Sequence, residues 1–170
     1  MKSYGKKFFV FSCLKISFSL FGLAIALEKP IDEIAIVEHP PLIHAPLSIG
    51  DLVDKITILQ VKLKKLDDPV KKSNASFELE QLKKIMKEYV RITKQFEKLM
   101  KELHAINHKL WEIEDAIRAK EAKKEFDQEF ITLARNVYIN NGKRHELKRA
   151  INLLTNSRII EEKQYTEYYA

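Results

Sequence analysis

Between Leu82 and Ile117 apolar and aromatic residues recur at alternating steps of three and four. They are Leu82, Ile85, Tyr89, Ile92, Phe96, Leu99, Leu103, Ile106, Leu110, Ile113 and Ile117. This spacing lays one apolar stripe along one side of an α-helix over five heptads. Met86 and Met100 fall beside the stripe and widen it. A wide stripe favours packing against more than one helix over a lone two-stranded coil. No glycine or proline interrupts the chain between Pro69 and Gly142.

Upstream, Ser48 followed by Asp51 has the form of a capping box. Leu52, Ile56, Leu59, Leu63 and Leu66 then supply a second helical stripe. Asp67-Asp68-Pro69 stops that helix, and Asp68 with Pro69 makes an N-cap and first-turn pair for the next. A straight helix from Pro69 to Lys123 would run roughly 80 Å at about 1.5 Å per residue, so it either projects or folds back. Both one long helix and a hairpin remain open, with Thr93 as the cap of the second arm after a bend.

Asp127 caps a further helix with Phe126, Phe130, Leu133 and Val137 on its apolar side. Asn140-Asn141-Gly142 reads as its C-terminal turn. A shorter helix follows through Leu147, Ile151 and Leu154, and the tail docks by Ile159, Ile160 and its tyrosines. The expected fold is all-α: an antiparallel helical bundle with coiled-coil (heptad) character and a long central helix or helical hairpin.

Composition agrees with this pattern. The 170 residues suit one domain with an appendage, and four glycines and five prolines are too few for a β-rich fold. Residues 1–26 carry Lys2, Lys6, Lys7 and Lys15, no acid, and an apolar run ending Ala24-Ile25-Ala26. That order is a signal peptide or an N-terminal membrane anchor. Residues 27–47 then form a proline-containing linker, and 48–170 the helical bundle domain. Cleavage after Ala26 implies an exported, periplasmic protein. The alternatives are anchoring through residues 8–27 and, with a start codon further along, a cytoplasmic protein.

The net charge of +6 belongs mostly to the leader, since residues 27–170 hold 26 basic against 24 acidic residues. A nucleic-acid partner is therefore not expected. The single cysteine, Cys13, lies in the leader, so the body has no disulfide, thiolate nucleophile or cysteine-ligated metal.

His104, His108 and Glu112 share one helix face at metal-ligand spacing, but on the side away from the stripe, where a solvated face is the simpler account. Asn107, Trp111, Glu114, Arg118 and Glu121 form a polar row beside the apolar one. This row reads as a salt-bridged face with tryptophan shielding the seam, or else as a polar network between helices or a recognition surface, joined by Arg135, Tyr138 and Arg144. No phosphate loop, nucleophile elbow or zinc motif occurs. No catalytic, cofactor-binding or metal residue is assigned, and the enzyme question leans towards no.

Several runs together resemble a bacterial family known as a domain of unknown function. They are Asp54-Lys55-Ile56-Thr57-Ile58-Leu59, the stretch from Asn107 through Trp111, Glu114-Asp115 and Arg118 to Glu121, Phe126-Asp127, Leu133-Ala134-Arg135 with Val137-Tyr138, Arg144, Lys148, Ile151-Asn152, and Glu161-Glu162-Lys163 with Tyr165. The chain departs from that pattern at Gln60, Gly142, Asn156 and Gln164. The resemblance marks Asp54, Lys55, Asn107, Trp111, Glu114, Asp115, Arg118, Arg135, Tyr138, Arg144 and Lys163 as a polar cluster. It also implies a setting, since some members lie beside glycosyltransferase and surface-polysaccharide genes.

Two functions are expected from these readings. One is a non-catalytic interaction or scaffold protein, self-associating or binding a protein partner through the stripe. The other is an accessory protein or enzyme of envelope polysaccharide metabolism, with the polar cluster, and Arg118, Arg135, Arg144 and Lys148 in particular, holding an anionic sugar or nucleotide-sugar.

Overall fold

The computed structural model describes residues 42–164 and 166. The proposed leader and most of the linker, together with Tyr165, Tyr168 and Tyr169, lie outside the described residues. The chain divides into two units, Met1–Ile43 and His44–Ala170. All four described helices belong to the second: α1 (Ile49–Lys65), α2 (Pro69–Tyr89), α3 (Lys94–Lys123) and α4 (Gln128–Leu154). The fold is all-α, and none of these helices is long and apolar enough to cross a membrane.

Local chemistry starts each helix where the side chains indicate. Ser48 Oγ accepts from Asp51 N at 3.0 Å, and Asp68 accepts from Val70 N and Lys71 N with Pro69 in the first turn. Thr93 Oγ1 accepts from Phe96 N at 3.2 Å, so the long stripe is a pair of helices that bends at Val90–Thr93. Asp127 accepts from Phe130 N to open α4. Lys124 closes α3 in the left-handed region at φ 59°. Asn156, just past α4, takes φ 52°, a conformation that asparagine tolerates better than most residues.

The bend redistributes the stripe. Leu103, Leu110 and Ile113 are buried in α3 as the spacing predicts. Near the bend, however, Tyr89 and Ile92 are 68% and 50% exposed while Val90, off the heptad, is buried. The heptads therefore do not mark a single buried seam.

The helix at the centre is α1. It packs against α2, α3 and α4, whereas α2 touches only α1 among the described helices. Accordingly Leu52, Val53, Ile56, Thr57, Leu59 and Val61 are buried around several sides of α1. One apolar stripe of a two-stranded coil would leave the others wet.

Two further expectations change. Asn140-Asn141-Gly142 does not end a helix, because α4 runs unbroken from Gln128 to Leu154. Gly142 has ordinary negative φ, and a Cβ there would meet nothing within 4 Å. Packing of α4 on α1 and α3 overrides its weak intrinsic preference. The described part of the tail adds polar groups to the expected apolar docking: Ile49 N donates to Ser157 Oγ and Lys148 holds Glu161, while Ile160 is half-buried and Ile159 stays 42% exposed.

Candidate functional site

On α4, Asn140, Arg144, Lys148 and Asn152 follow at steps of four and so share one face. That face lies against the first half of α1, the two helices running antiparallel. Asn152 Oδ1 accepts from Gly50 N at 2.6 Å, Lys148 Nζ meets Asp51 Oδ1 at 2.6 Å, and Arg144 meets Asp54. The backbones also approach closely. A Cβ on Gly50 would stand 2.5 Å from the Lys148 carbonyl oxygen, so only glycine fits there.

Asp54 is the centre of the junction, with 6% of the residue exposed. Arg144 grips it at both oxygens, Nε to Oδ1 at 2.8 Å and Nη2 to Oδ2 at 2.5 Å. From α3, Asn107 Nδ2 donates to Asp54 Oδ1 at 2.8 Å and to Thr57 Oγ1 at 2.9 Å. Thr57 in turn donates to the Asp54 carbonyl at 2.9 Å. Both carboxylate oxygens are thus occupied by donors from two other helices. The contact with Asp54 raises the guanidinium pKa of Arg144, and Glu114 and Glu161 add to it from further away.

A second layer closes the α1 N-terminus. Lys148 bridges Asp51 and Glu161, while Lys163 Nζ reaches Glu161 Oε1 at 3.6 Å and His145 Nδ1 lies 3.9 Å from Oε2. Burial works against the charge of Lys148, but its bonds to Asp51 and Glu161 outweigh it and raise the pKa. Burial likewise pushes Asp51 up, yet Lys148 and Ser48 bring it below the ordinary value. The Lys148 bond holds Glu161 low as well.

Of the polar cluster expected from sequence, Asp54, Asn107 and Arg144 meet directly. Glu114 acts on Arg144 through its field, and Lys163 joins the second layer through Glu161. The rest lie elsewhere. Lys55 pairs with Glu78 of α2 at 3.2 Å. Arg118 pairs with Asp115 at 2.5 Å and Glu114 at 3.5 Å on the exposed side of α3. Trp111 is half-buried, and Arg135 and Tyr138 are on the open side of α4. Of the four cations expected to hold an anionic sugar, Arg118, Arg144 and Lys148 are therefore engaged by the chain's own carboxylates.

The sequence reading missed Thr57, Asn152 and Glu161 as partners, and Asp51 as more than a cap. It also missed Asn140, which is 1% exposed and donates to the Asn136 carbonyl. Its Oδ1 has no partner among the described residues. The four-residue spacing along α4 was the available signal.

The histidine face is separate. His108 Nε2 sits 3.7 Å from Glu112, which also takes Lys65 at 3.1 Å. His104 lines an open groove of about 580 Å³ with Gln60, Glu97, Met100 and Lys101. Burial, then Lys64 and His108, lower its pKa. Among the described residues no three metal-type side chains converge.

The model of a family of unknown function, DUF6165, matches residues 43–169. The chain belongs to this family. The match covers all four helices and every residue of the junction, so the junction is a feature within the DUF6165 domain. No curated protein and no solved structure matches the chain.

Proposed function

We propose that this DUF6165 domain is a non-catalytic helical interaction module, its polar junction serving as keystone and its exposed helix faces as working surface. The saturation of Asp54 carries the reading. A general base or nucleophile needs a free lone pair facing substrate, whereas Asp54 is buried with both oxygens engaged by Arg144 and Asn107. A buried, hydrogen-bonded network of this kind specifies which helices meet and in what register.

The outward surface supports the second half of the proposal. Val70, Phe77 and Tyr89 of α2 are 67%, 57% and 68% exposed. Since α2 leans on α1 alone, much of its circumference is open to a partner. Val70 and Phe77 lie two turns apart on one face of α2, and exposed apolar side chains grouped on one face are the kind that mark an interaction site.

Photo-crosslinking in cells from positions 70, 73 and 77 of the full chain is expected to give discrete adducts. A folded chain with no adduct at any of the three overturns the reading. Asp54→Asn supplies the other arm: a lower melting temperature is expected. If it keeps its melting temperature and loses biological activity, Asp54 has a chemical role.

A further inference from the structure

The bend between α2 and α3 combines two features that the module's interior does not absorb. From Lys83 to Lys101 the chain carries Lys83, Lys84, Lys87, Arg91, Lys94, Lys98 and Lys101 against only Glu88 and Glu97. Among the described residues, Lys98 alone of these cations has a carboxylate within 4.0 Å, Glu102. Lys94, Lys98 and Lys101 follow at +4 and +3, and Lys109 continues the row two turns later. They lie opposite buried Phe96 and Leu103 and therefore form one outward row on α3.

At the head of that row sits an apolar tip. Ile85, Tyr89 and Ile92 are 38%, 68% and 50% exposed, while Met86, Val90 and Phe96 point inward and anchor the corner. Beyond the bend the backbones of α2 and α3 do not approach each other closely, so the two helices diverge from it.

We propose that this corner is a docking surface for an anionic phospholipid membrane, with the α3 lysine row against the headgroups and Tyr89 and Ile92 in the interface. The proposal goes beyond the module reading: a lipid surface takes the corner, while a protein partner is sought at the α2 face of Val70 and Phe77. Each cation brought to an anionic leaflet contributes about 1 kcal/mol and is screened by salt. Tyrosine is favoured at the headgroup level, and aliphatic tips are stabilised by entering it. The isoleucines favour a lipid interface over a single nucleic-acid strand. A strand is held by cations together with flat stacking platforms, and the corner offers one aromatic ring beside two aliphatic side chains that bases cannot pair with.

The test compares full-length variants on phosphatidylcholine vesicles with and without phosphatidylglycerol, so that any other membrane contact of the chain is common to all. Lys94→Glu/Lys98→Glu/Lys101→Glu is expected to lose roughly tenfold or more of its partition onto the anionic vesicles. On neutral vesicles it should match wild type. Ile92→Ser, which keeps the charge, should lose partition at high salt, where the apolar tip supplies the remaining affinity. Lys143→Glu on α4 serves as the charge-change control and should behave as wild type. Unchanged melting temperatures verify that the variants fold. Equal partition of wild type and triple variant on anionic vesicles overturns the proposal, as does displacement of wild type from them by duplex DNA of equal charge. Either result leaves the crosslinked adducts of the module reading intact, so the two failures are distinguishable.

Discussion

The junction beneath α1 and the bend between α2 and α3 are made from the same kinds of residue and put them to opposite use. At the junction, Arg144 meets Asp54, Lys148 meets Asp51 and Glu161, and further along α4 Arg149 meets Glu162. The α3–α4 turn follows the same rule, with Glu125, Asp127 and Glu129 gathered around Lys120, whose pKa rises through its bonds to Asp127 and Glu129. At the bend, six of seven cations have no such partner among the described residues. A cation that is buried must be neutralised by a carboxylate of the chain. One that is exposed is neutralised by water and salt, and remains free to meet something else. Burial makes a partner obligatory, whereas an exposed cation such as Arg118 takes one only where a carboxylate lies within reach.

The largest expected effect lies at the junction's centre. Arg144→Met keeps an unbranched apolar stem but removes the guanidinium and leaves Asp54 buried without its cation, at a cost of about 3–5 kcal/mol. Chemical denaturation measures it directly. Adding Asp54→Leu should recover much of the loss, because removing both charges removes the unpaired one. Failure of the double variant to recover would show that the pair contributes more than mutual neutralisation.

Gly50→Ala comes next. The added methyl would press on the Lys148 carbonyl, which is backbone and cannot turn aside, so α1 and α4 must separate. Overpacking of this kind costs about 1–3 kcal/mol. Gly142→Ala on the same domain provides the contrast: the space is open, and helix propensity predicts a gain of up to about 1 kcal/mol.

Acid should loosen the second layer. Asp51 and Glu161 are held below their ordinary values in the folded state. Their stabilisation is therefore complete above the unfolded carboxylate range, about pH 4, and is lost as pH falls through the lower folded values. Lys148 is raised, so its share is present below its ordinary range and lost as pH climbs beyond it. Melting temperature followed downward from neutral pH should fall less steeply in Glu161→Gln than in wild type. Identical slopes would remove the tail from the junction.

These contrasts also show what was legible in the sequence. Caps are local, so Ser48, Asp68, Thr93 and Asp127 were readable one by one. The central position of α1 was not, because periodicity reveals an apolar stripe and not how many neighbours surround the helix. Asp54 and Arg144, 90 residues apart, both stood in the family pattern, but nothing in either segment joined them. Asn140-Gly142 carried a local stop signal that packing overrode. The charge of the bend was hidden by averaging, since acids elsewhere bring residues 27–170 down to near balance.

The smallest effect on stability is expected at the bend, and its sign sharpens the comparison. Lys94, Lys98 and Lys101 repel one another along α3 at three- and four-residue spacing, at a few tenths of a kcal/mol per pair. Replacing all three by glutamine should thus leave stability unchanged or raise it by roughly 0.5 kcal/mol at low ionic strength. The gain should disappear in high salt, which already screens the repulsion. Glutamine at Lys148 must act the other way, because it leaves Asp51 and Glu161 facing each other without the cation between them. Measured side by side in the same buffers, the two substitutions carry opposite signs if burial alone separates a structural cation from an available one. A loss of stability in the triple variant would mean that the row at the bend is bound into the fold after all.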